Sequence, residues 1–327
     1  MREITYAKAI SEALWEEMKR DPNVILLGED IGVYGGAYKI TSGFLEEFGP
    51  ERVIDTPISE AAIVGVAIGA ALMGLRPVAE IMYMDFLPIA LEQLVNHAAK
   101  IRFMSGGALK VPMVVRTQYS LGRAHGAQHS QFFPSWFLQV PGIKVVLPST
   151  PYDAKGLLKT AIRDDNPVLF IECNLLYYKV KGPVPEHDYT IPFGQADIKR
   201  EGEDVTVVAI SRMVHEALAA AEALEEKGVS AEVIDPRTIQ PLDIDTIIKS
   251  VKKTGRLVIA EDDIVSGGVG AEIAALVAER ALDALDAPIK RVGSPYMPVP
   301  FSPPLEKEYM PSRNDIINAV TSIVGGK

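Results

Sequence analysis

PVAEIMYMDFLPIALEQLVNHAAKIRFMSGGALKVPMVVRT, residues 77–117, holds the alternation that decides the fold. Residues 77–83 and 111–117 are short apolar runs of strand length, and residues 86–104 between them read as helix. A strand that is apolar on consecutive residues, not on every second one, is buried on both faces. Helices lying between such strands supply the cover. The stretch is therefore a β-α-β unit of a parallel sheet. Working outward, the runs at 23–29, 144–148 and 167–172 repeat the strand pattern, and residues 60–74 and 151–163 repeat the helical one. Ahead of them, MREITYAKAISEALWEEMKRD places Ala7, Ile10, Leu14 and Met18 on one face of an amphipathic helix.

The alternation stops at residues 174–203, which are rich in Pro, Gly, Tyr and charge and keep no period. It resumes with DVTVVAIS, the helix MVHEALAAAEALEEKG, SAEVIDP, a helix from Asp243, GRLVIAEDD, a helix over 270–285, and PIKRV. The expected architecture is α/β in two domains, each a mainly parallel sheet flanked by helices: residues 1–180, a linker over 181–203, and residues 204–327. A chain of 327 residues suits two domains. No internal repeat of 20–50 residues occurs.

Composition narrows the function classes. The chain is 48% hydrophobic and 23% charged, and its net charge of −10 argues against non-specific nucleic-acid binding. Its longest run free of Asp, Glu, Lys, Arg and His, Ala61–Leu75, is too short for a membrane span, and the N-terminal residues lack a signal-peptide core. A cytoplasmic protein is expected. The single cysteine, Cys173, has no partner in the chain and reads as a small buried hydrophobe.

Three stretches invite chemistry. In RVIDTPISEAAIVGVAIGAALMG, residues 52–74, Glu60 is the one acid at the mouth of an otherwise uncharged helix. Ser59 capping the helix and Glu60 complementing its dipole explain the pair structurally. A carboxyl held in a dry slot, able to keep or pass a proton, explains it functionally. The local pattern is compatible with both. In GRAHGAQHSQ, residues 122–131, a loop at a strand's carboxyl end carries His125 and His129, where α/β sheets place chemistry. Their spacing resembles a zinc pair, but the glutamate of H-E-x-x-H is missing and glycine discourages a helix, so an acid-base or hydrogen-bonding histidine is preferred to zinc, on a par with a purely structural one. Third, SGGVGAE, residues 266–272, resembles half of a dinucleotide-binding turn but lacks its third glycine. His97, His187 and His215 lie in helical or linker context. PYMPVPFSPPLEK, residues 295–307, reads as an extended Pro-rich segment suited to an interface. Neither G-x-x-x-x-G-K-[ST] nor G-D-G followed by N-N occurs, so the chain shows no diphosphate-magnesium site of its own.

GEDIGVYGGAYKIT, RVIDTPISE, GLRPVAEIM, AAKIRFMSGG, AQHSQ, PGIKVVLPSTPYDAKGLLKTAIRDDNPV, VIDPRTIQPLD and VGAEI fall in order along the chain. Together they resemble the beta subunit of the thiamine-diphosphate-dependent 2-oxo acid dehydrogenase first component, over about residues 3–320. GAYKIT, ISEAAIVG and MDFLPIALEQLVN with FMSGG look most like the pyruvate enzyme, with acetoin dehydrogenase close behind and the branched-chain enzymes further away. The resemblance implies a transketolase-like pyrimidine-binding domain followed by a transketolase C-terminal domain. It implies an alpha subunit that holds the diphosphate and magnesium, an α2β2 heterotetramer, and acyl delivery to a dihydrolipoyl acyltransferase core. Glu60 matches the glutamate that hydrogen-bonds the aminopyrimidine of thiamine diphosphate; Ile58 and Phe86 match its apolar and aromatic neighbours. His129 matches the histidine that assists acyl transfer, whereas His125 has no counterpart. Met113, Ala161, Ile162, Asp164 and Asn166 match a potassium site. The rival readings are acetoin or branched-chain substrates, a nicotinamide-dependent dehydrogenase using SGGVGAE, and a non-catalytic assembly subunit.

Overall fold

A computed structural model describes residues 1–324. The chain divides into two compact units, residues 1–120 with 139–193, and residues 121–138 with 194–327.

The first unit opens with β1 (Arg2–Thr5) and α1 (Tyr6–Arg20). Thr5 caps α1 by accepting the Lys8 N–H at 3.2 Å. Ala7, Ile10, Leu14 and Met18 are buried, as their spacing predicts. Next come β2 (Val24–Gly28), α2 (Phe44–Phe48), β3 (Val53–Asp55), α3 (Glu60–Leu72) and β4 (Arg76–Ile81). Then follow α4 (Ile101–Met104), β5 (Val114–Tyr119), β6 (Lys144–Val146), α5 (Pro151–Arg163), β7 (Val168–Cys173), α6 (Leu176–Lys179) and β8 (Lys181–Val184). β6, β7, β5, β4, β2 and β3 lie side by side in that order, all parallel. Every residue of β2, β5 and β7 is buried, which accounts for the apolar runs Val24–Leu27 of β2 and Val168–Ile171 of β7. Cys173 is wholly buried at the end of β7.

Two expectations meet differences here. Residues 86–104 do not form one helix: a 3-10 turn (Met84–Ala90), a π turn (Gln93–Ala98) and α4 replace it. Pro88 lies inside the first turn and lacks the N–H that a regular helix needs. Residues 181–203 are not free of structure. β8 pairs antiparallel with β1, and β9 (Asp197–Arg200) joins the second sheet. Short strands that hold only an edge leave little apolar signal in sequence.

The interior of the first unit contains charge as well as hydrocarbon. Arg116 on β5 donates to Glu172 on β7 at 2.7 and 2.9 Å and to Glu80 on β4 at 2.7 Å, and Tyr177 donates to Glu172 at 2.6 Å. On one flank, α1 packs on α5 through wholly buried Lys155. Lys155 donates to Glu12 at 3.2 Å and to Glu16 at 2.6 Å.

The second unit continues with β10 (Val205–Ala209), α7 (Met213–Glu225), β11 (Ala231–Asp235), β12 (Thr238–Gln240), α8 (Ile244–Thr254) and β13 (Leu257–Ile264). α9 (Val269–Ala281), β14 (Lys290–Ser294), α10 (Pro303–Tyr309) and α11 (Arg313–Val324) complete it. Its sheet runs β14-β13-β10-β11-β9, parallel except for β9 at the edge. Asp243 caps α8 by accepting the Thr246 N–H. Val207, Val233 and Val258 meet Ala217, Leu224 and Ile316 in the core. The Pro-rich segment expected to be extended is helical from Pro303, because proline's fixed φ suits the first helical turn. Among the described residues no helix is long and apolar enough to cross a membrane.

Candidate active site

In the first sheet the chain leaves β2 towards β3, then crosses back to β4 on β2's other side. Strand order reverses at β2, and open α/β sheets bind ligands outside the carboxyl ends of the strands at such a reversal. The residues on these turns are Glu29 after β2, Ile58 and Glu60 after β3, and Phe86 after β4.

The β3–α3 turn is anchored by its backbone. The Thr56 N–H donates to the Gly28 carbonyl at 3.0 Å, and the Asp55 carboxylate accepts the Gly32 N–H at 2.7 Å. Ser59 occupies the cap position of α3 but makes no side-chain cap bond, contrary to the capping read from sequence. The helix begins through the Ile63 N–H to the Ser59 carbonyl at 2.9 Å. Glu60 is therefore the first helical residue, and it is only 6% exposed. A carboxyl at a helix N-terminus is favoured by the dipole, but nothing in that effect requires burial. Ile58, two residues earlier, is 81% exposed. This turn thus buries its acid and holds its isoleucine in the open.

α3 packs against the 3-10 turn that carries Phe86, whose ring meets Tyr83 edge-on at 5.8 Å between centroids. The sequence reading overlooked Glu29. Its carboxyl is raised from its ordinary value, first by burial and then by the negative charges of Glu60, Asp30 and Glu80. The signal was present as an acid directly after the apolar run of β2. A buried carboxyl, an exposed apolar side chain and an aromatic pair on adjoining turns fit an aminopyrimidine, which needs a hydrogen-bonding acid at a ring nitrogen and apolar contact with its faces.

His129 belongs to the second unit, on the segment 121–138. Residues 121–130 form turns, not a helix, so His125 and His129 do not share the helical face a zinc pair needs. Among the described residues no cluster of metal-ligating side chains occurs. The segment is pinned by Glu306 on α10, a residue the sequence reading placed in an extended stretch. Its carboxylate accepts the Gly122 N–H at 2.8 Å and the Ala124 N–H at 2.7 Å. Ala124 is held in the left-handed region, at φ 57°, which a charged acceptor helps to offset.

The residues matched to potassium present oxygen atoms, the right donors for that ion. Arg76, however, donates to the Ile162 and Asp164 carbonyls at 3.0 Å each. The Met113 carbonyl accepts the Val168 N–H at 3.0 Å, and the Ala161 carbonyl accepts the Asp164 N–H at 3.3 Å. The Asp164 side chain is bonded to Lys144 and Asn166. A guanidinium already supplies positive charge among these oxygens, so the fit to a second cation is poor.

The SGGVGAE turn has its own occupant. Glu261 accepts the Gly270 N–H at 2.9 Å at the start of α9. A Cβ on Gly268 or Gly270 would stand 2.6 or 2.7 Å from the Glu261 carboxyl. These glycines are explained by the close approach of a carboxylate, which fills the place a pyrophosphate would take.

Residues 2–179 match the transketolase pyrimidine-binding domain and residues 194–316 the transketolase C-terminal domain. A solved structure described as a split gene transketolase, inactive beta4 tetramer, aligns with a TM-score of 0.82 and 25% identity over 98% of each chain. The two units thus define a transketolase-like protein. Among characterised relatives, the beta subunit of acetoin:2,6-dichlorophenolindophenol oxidoreductase of Bacillus subtilis (strain 168) is 47% identical, over 99% of this chain and 98% of that protein. The 2-oxoisovalerate dehydrogenase subunit beta of the same organism is 49% identical over 95% of each. The pyruvate dehydrogenase E1 component subunit beta of Rickettsia felis is 50% identical over 98% of each. The chain belongs to the family of beta subunits of thiamine-diphosphate-dependent 2-oxo acid dehydrogenase first components and acetoin dehydrogenases.

Proposed function

We propose that this chain is the beta subunit of a pyruvate dehydrogenase first component, working in the cytoplasm with an alpha subunit in an α2β2 assembly and passing acetyl groups to a dihydrolipoyl acyltransferase. The observation that carries the proposal is the Glu60 carboxyl, buried at the first turn of α3 beside exposed Ile58, on the turn after β3 where strand order reverses at β2. Thiamine diphosphate, when bound, supplies the carbanion that attacks a 2-oxo carbon. Glu60 holds a proton against the aminopyrimidine ring nitrogen, in a place water does not level. Phe86 and Ile58 orient that ring and exclude solvent from it. His129 donates to or accepts from the acyl acceptor. Magnesium and the diphosphate fall to the alpha subunit.

Relatives named for acetoin, 2-oxoisovalerate and pyruvate lie at 47%, 49% and 50% identity, so kinetics must rank the substrates. The chain co-purified with its alpha partner is expected to favour pyruvate at least tenfold in kcat/KM over acetoin and 2-oxoisovalerate. Preference for either of the others moves the substrate assignment. Glu60→Gln is expected to lower kcat by about 10²–10⁴-fold while leaving the fold intact. Unchanged turnover in that variant removes the proton-holding role.

A further inference from the structure

The second unit contains a cavity that the proposed chemistry does not use. It measures about 540 Å³ and is walled in part by Phe133, Trp136, Tyr296 and Tyr309. Pockets of a few hundred Å³, mostly apolar with a few placed polar groups, are typical ligand sites. Among the described residues the one charged side chain lining it is Asp263, near the end of β13. Ser135, also in the wall, donates its hydroxyl to Asp263 Oδ2 at 2.9 Å, and the Ile264 N–H donates to Oδ1 at 2.8 Å. These bonds fix the carboxylate without neutralising it.

Among the described residues no cation forms an ion pair with it. Arg212 is committed to Asp262, and Arg291 donates to the Val265 carbonyl at 2.6 Å. The Asp263 carboxyl is pushed up to about 6, chiefly by burial, as befits a charge held away from water with neutral donors for company. A buried carboxylate walled by aromatic rings suits a guanidinium, which pairs with the acid through its edge and stacks on the rings through its face.

We propose that this cavity receives an arginine side chain of a partner polypeptide, its guanidinium paired with Asp263 and stacked on the aromatic wall. The rim points to a polypeptide as the bearer. Trp136 and Met297 are half exposed, Tyr296 is 83% exposed, and Phe301 and Leu305 continue the apolar surface along the chain. A free amine would fill the cavity and leave these side chains in water, whereas a polypeptide covers both. Ala127 and Gln131, which flank His129, also line the cavity, so the occupant rests against the histidine loop.

The inference is tested on the full chain alone, so its failure is distinct from failure of the proposed activity. Acetyl-Ala-Arg-Ala-amide, its neutral citrulline counterpart and butylguanidinium are titrated calorimetrically and by Trp fluorescence; Trp136 lines the cavity, and the other tryptophan, Trp15, lies in the first unit. The arginine peptide is expected to bind saturably and at least tenfold tighter than the citrulline peptide. Asp263→Asn should remove that preference. Tyr296→Ser, at an exposed position that leaves the fold alone, should weaken the arginine peptide at least threefold. Equal binding of the arginine and citrulline peptides, no binding of either, or an unaltered preference in Asp263→Asn overturns the proposal. Binding of butylguanidinium with exclusion of the peptide also overturns it, in favour of a free amine.

Discussion

A carboxyl moved out of water holds its proton to higher pH, because a protein interior solvates the charged form poorly. Glu261 is pushed up to about 8, by burial first and then by the charge of Asp263, while Asp263 is raised to about 6. Their ordinary values are 4.5 and 3.8. Between those limits the folded chain holds more protons at these sites than the unfolded chain, so stability from this pair falls as pH rises from about 4 to about 8. The loss is complete once pH has passed the folded value of Glu261. Glu261→Gln keeps an oxygen for the Gly270 N–H and removes the titration. Its stability relative to the parent chain should therefore rise between pH 5 and pH 8.5 by on the order of 2–5 kcal/mol. Urea denaturation of both proteins at the two pH values measures this, and a pH-independent difference shows that Glu261 is ionised throughout.

Elements show where sequence speaks and where it is silent. α1 and α5 were legible because helical spacing sorts their faces, with Ile10 and Leu14 buried on α1 and Leu157 and Leu158 on α5. The parallel strands were legible because both of their faces are covered. β3 was not, since three residues at a sheet edge carry too little pattern. The 84–104 region has helical composition, but Pro88 breaks the hydrogen-bond ladder, a tertiary compromise that apolar periodicity does not register. At the site, Glu60 stood out through its isolation in an uncharged run. Glu306 did not, because its partners are backbone N–H groups of a loop 182 and 184 residues away. That long-range pin carries a prediction. Glu306→Ala strips two donors of a charged acceptor and should destabilise the second unit by about 1.5–3 kcal/mol. It should also speed amide exchange at Gly122 and Ala124 selectively. Unchanged exchange at both amides would show that the loop holds its shape without α10. On the opposite unit, Lys155→Met leaves Glu12 without one of its cations and Glu16 with only Lys159 of this pair. Breaking such a buried pair should lower stability by about 3–5 kcal/mol in the same denaturation assay. A change below about 1 kcal/mol would mean that the methionine's packing replaces the pair.

Across the whole molecule, charge decides which part of the cofactor this chain is able to hold. The turns after β2, β3 and β4 carry Glu29, Asp30, Glu60 and Asp85. No Lys or Arg occurs within residues 24–38, 53–75 or 77–99, which surround them. An edge of that sign suits a protonated or hydrogen-bonding ring and opposes a diphosphate, whose charge needs cations, magnesium or a glycine-rich cradle. The other candidate cradle, at the start of α9, is filled by Glu261. On the proposed function the diphosphate falls to a second polypeptide, and affinity becomes a property of the pair. Thiamine diphosphate titrated into the isolated chain with magnesium should bind at least 100-fold more weakly than into the chain assembled with its alpha partner. Thiamine lacking the diphosphate should bind the isolated chain within about threefold of thiamine diphosphate, because the acidic edge gains nothing from the phosphates. Calorimetry on the four combinations separates these terms. If the isolated chain takes up thiamine diphosphate as tightly as the assembly does, a phosphate site exists among its own residues, and the division of the cofactor between two chains fails.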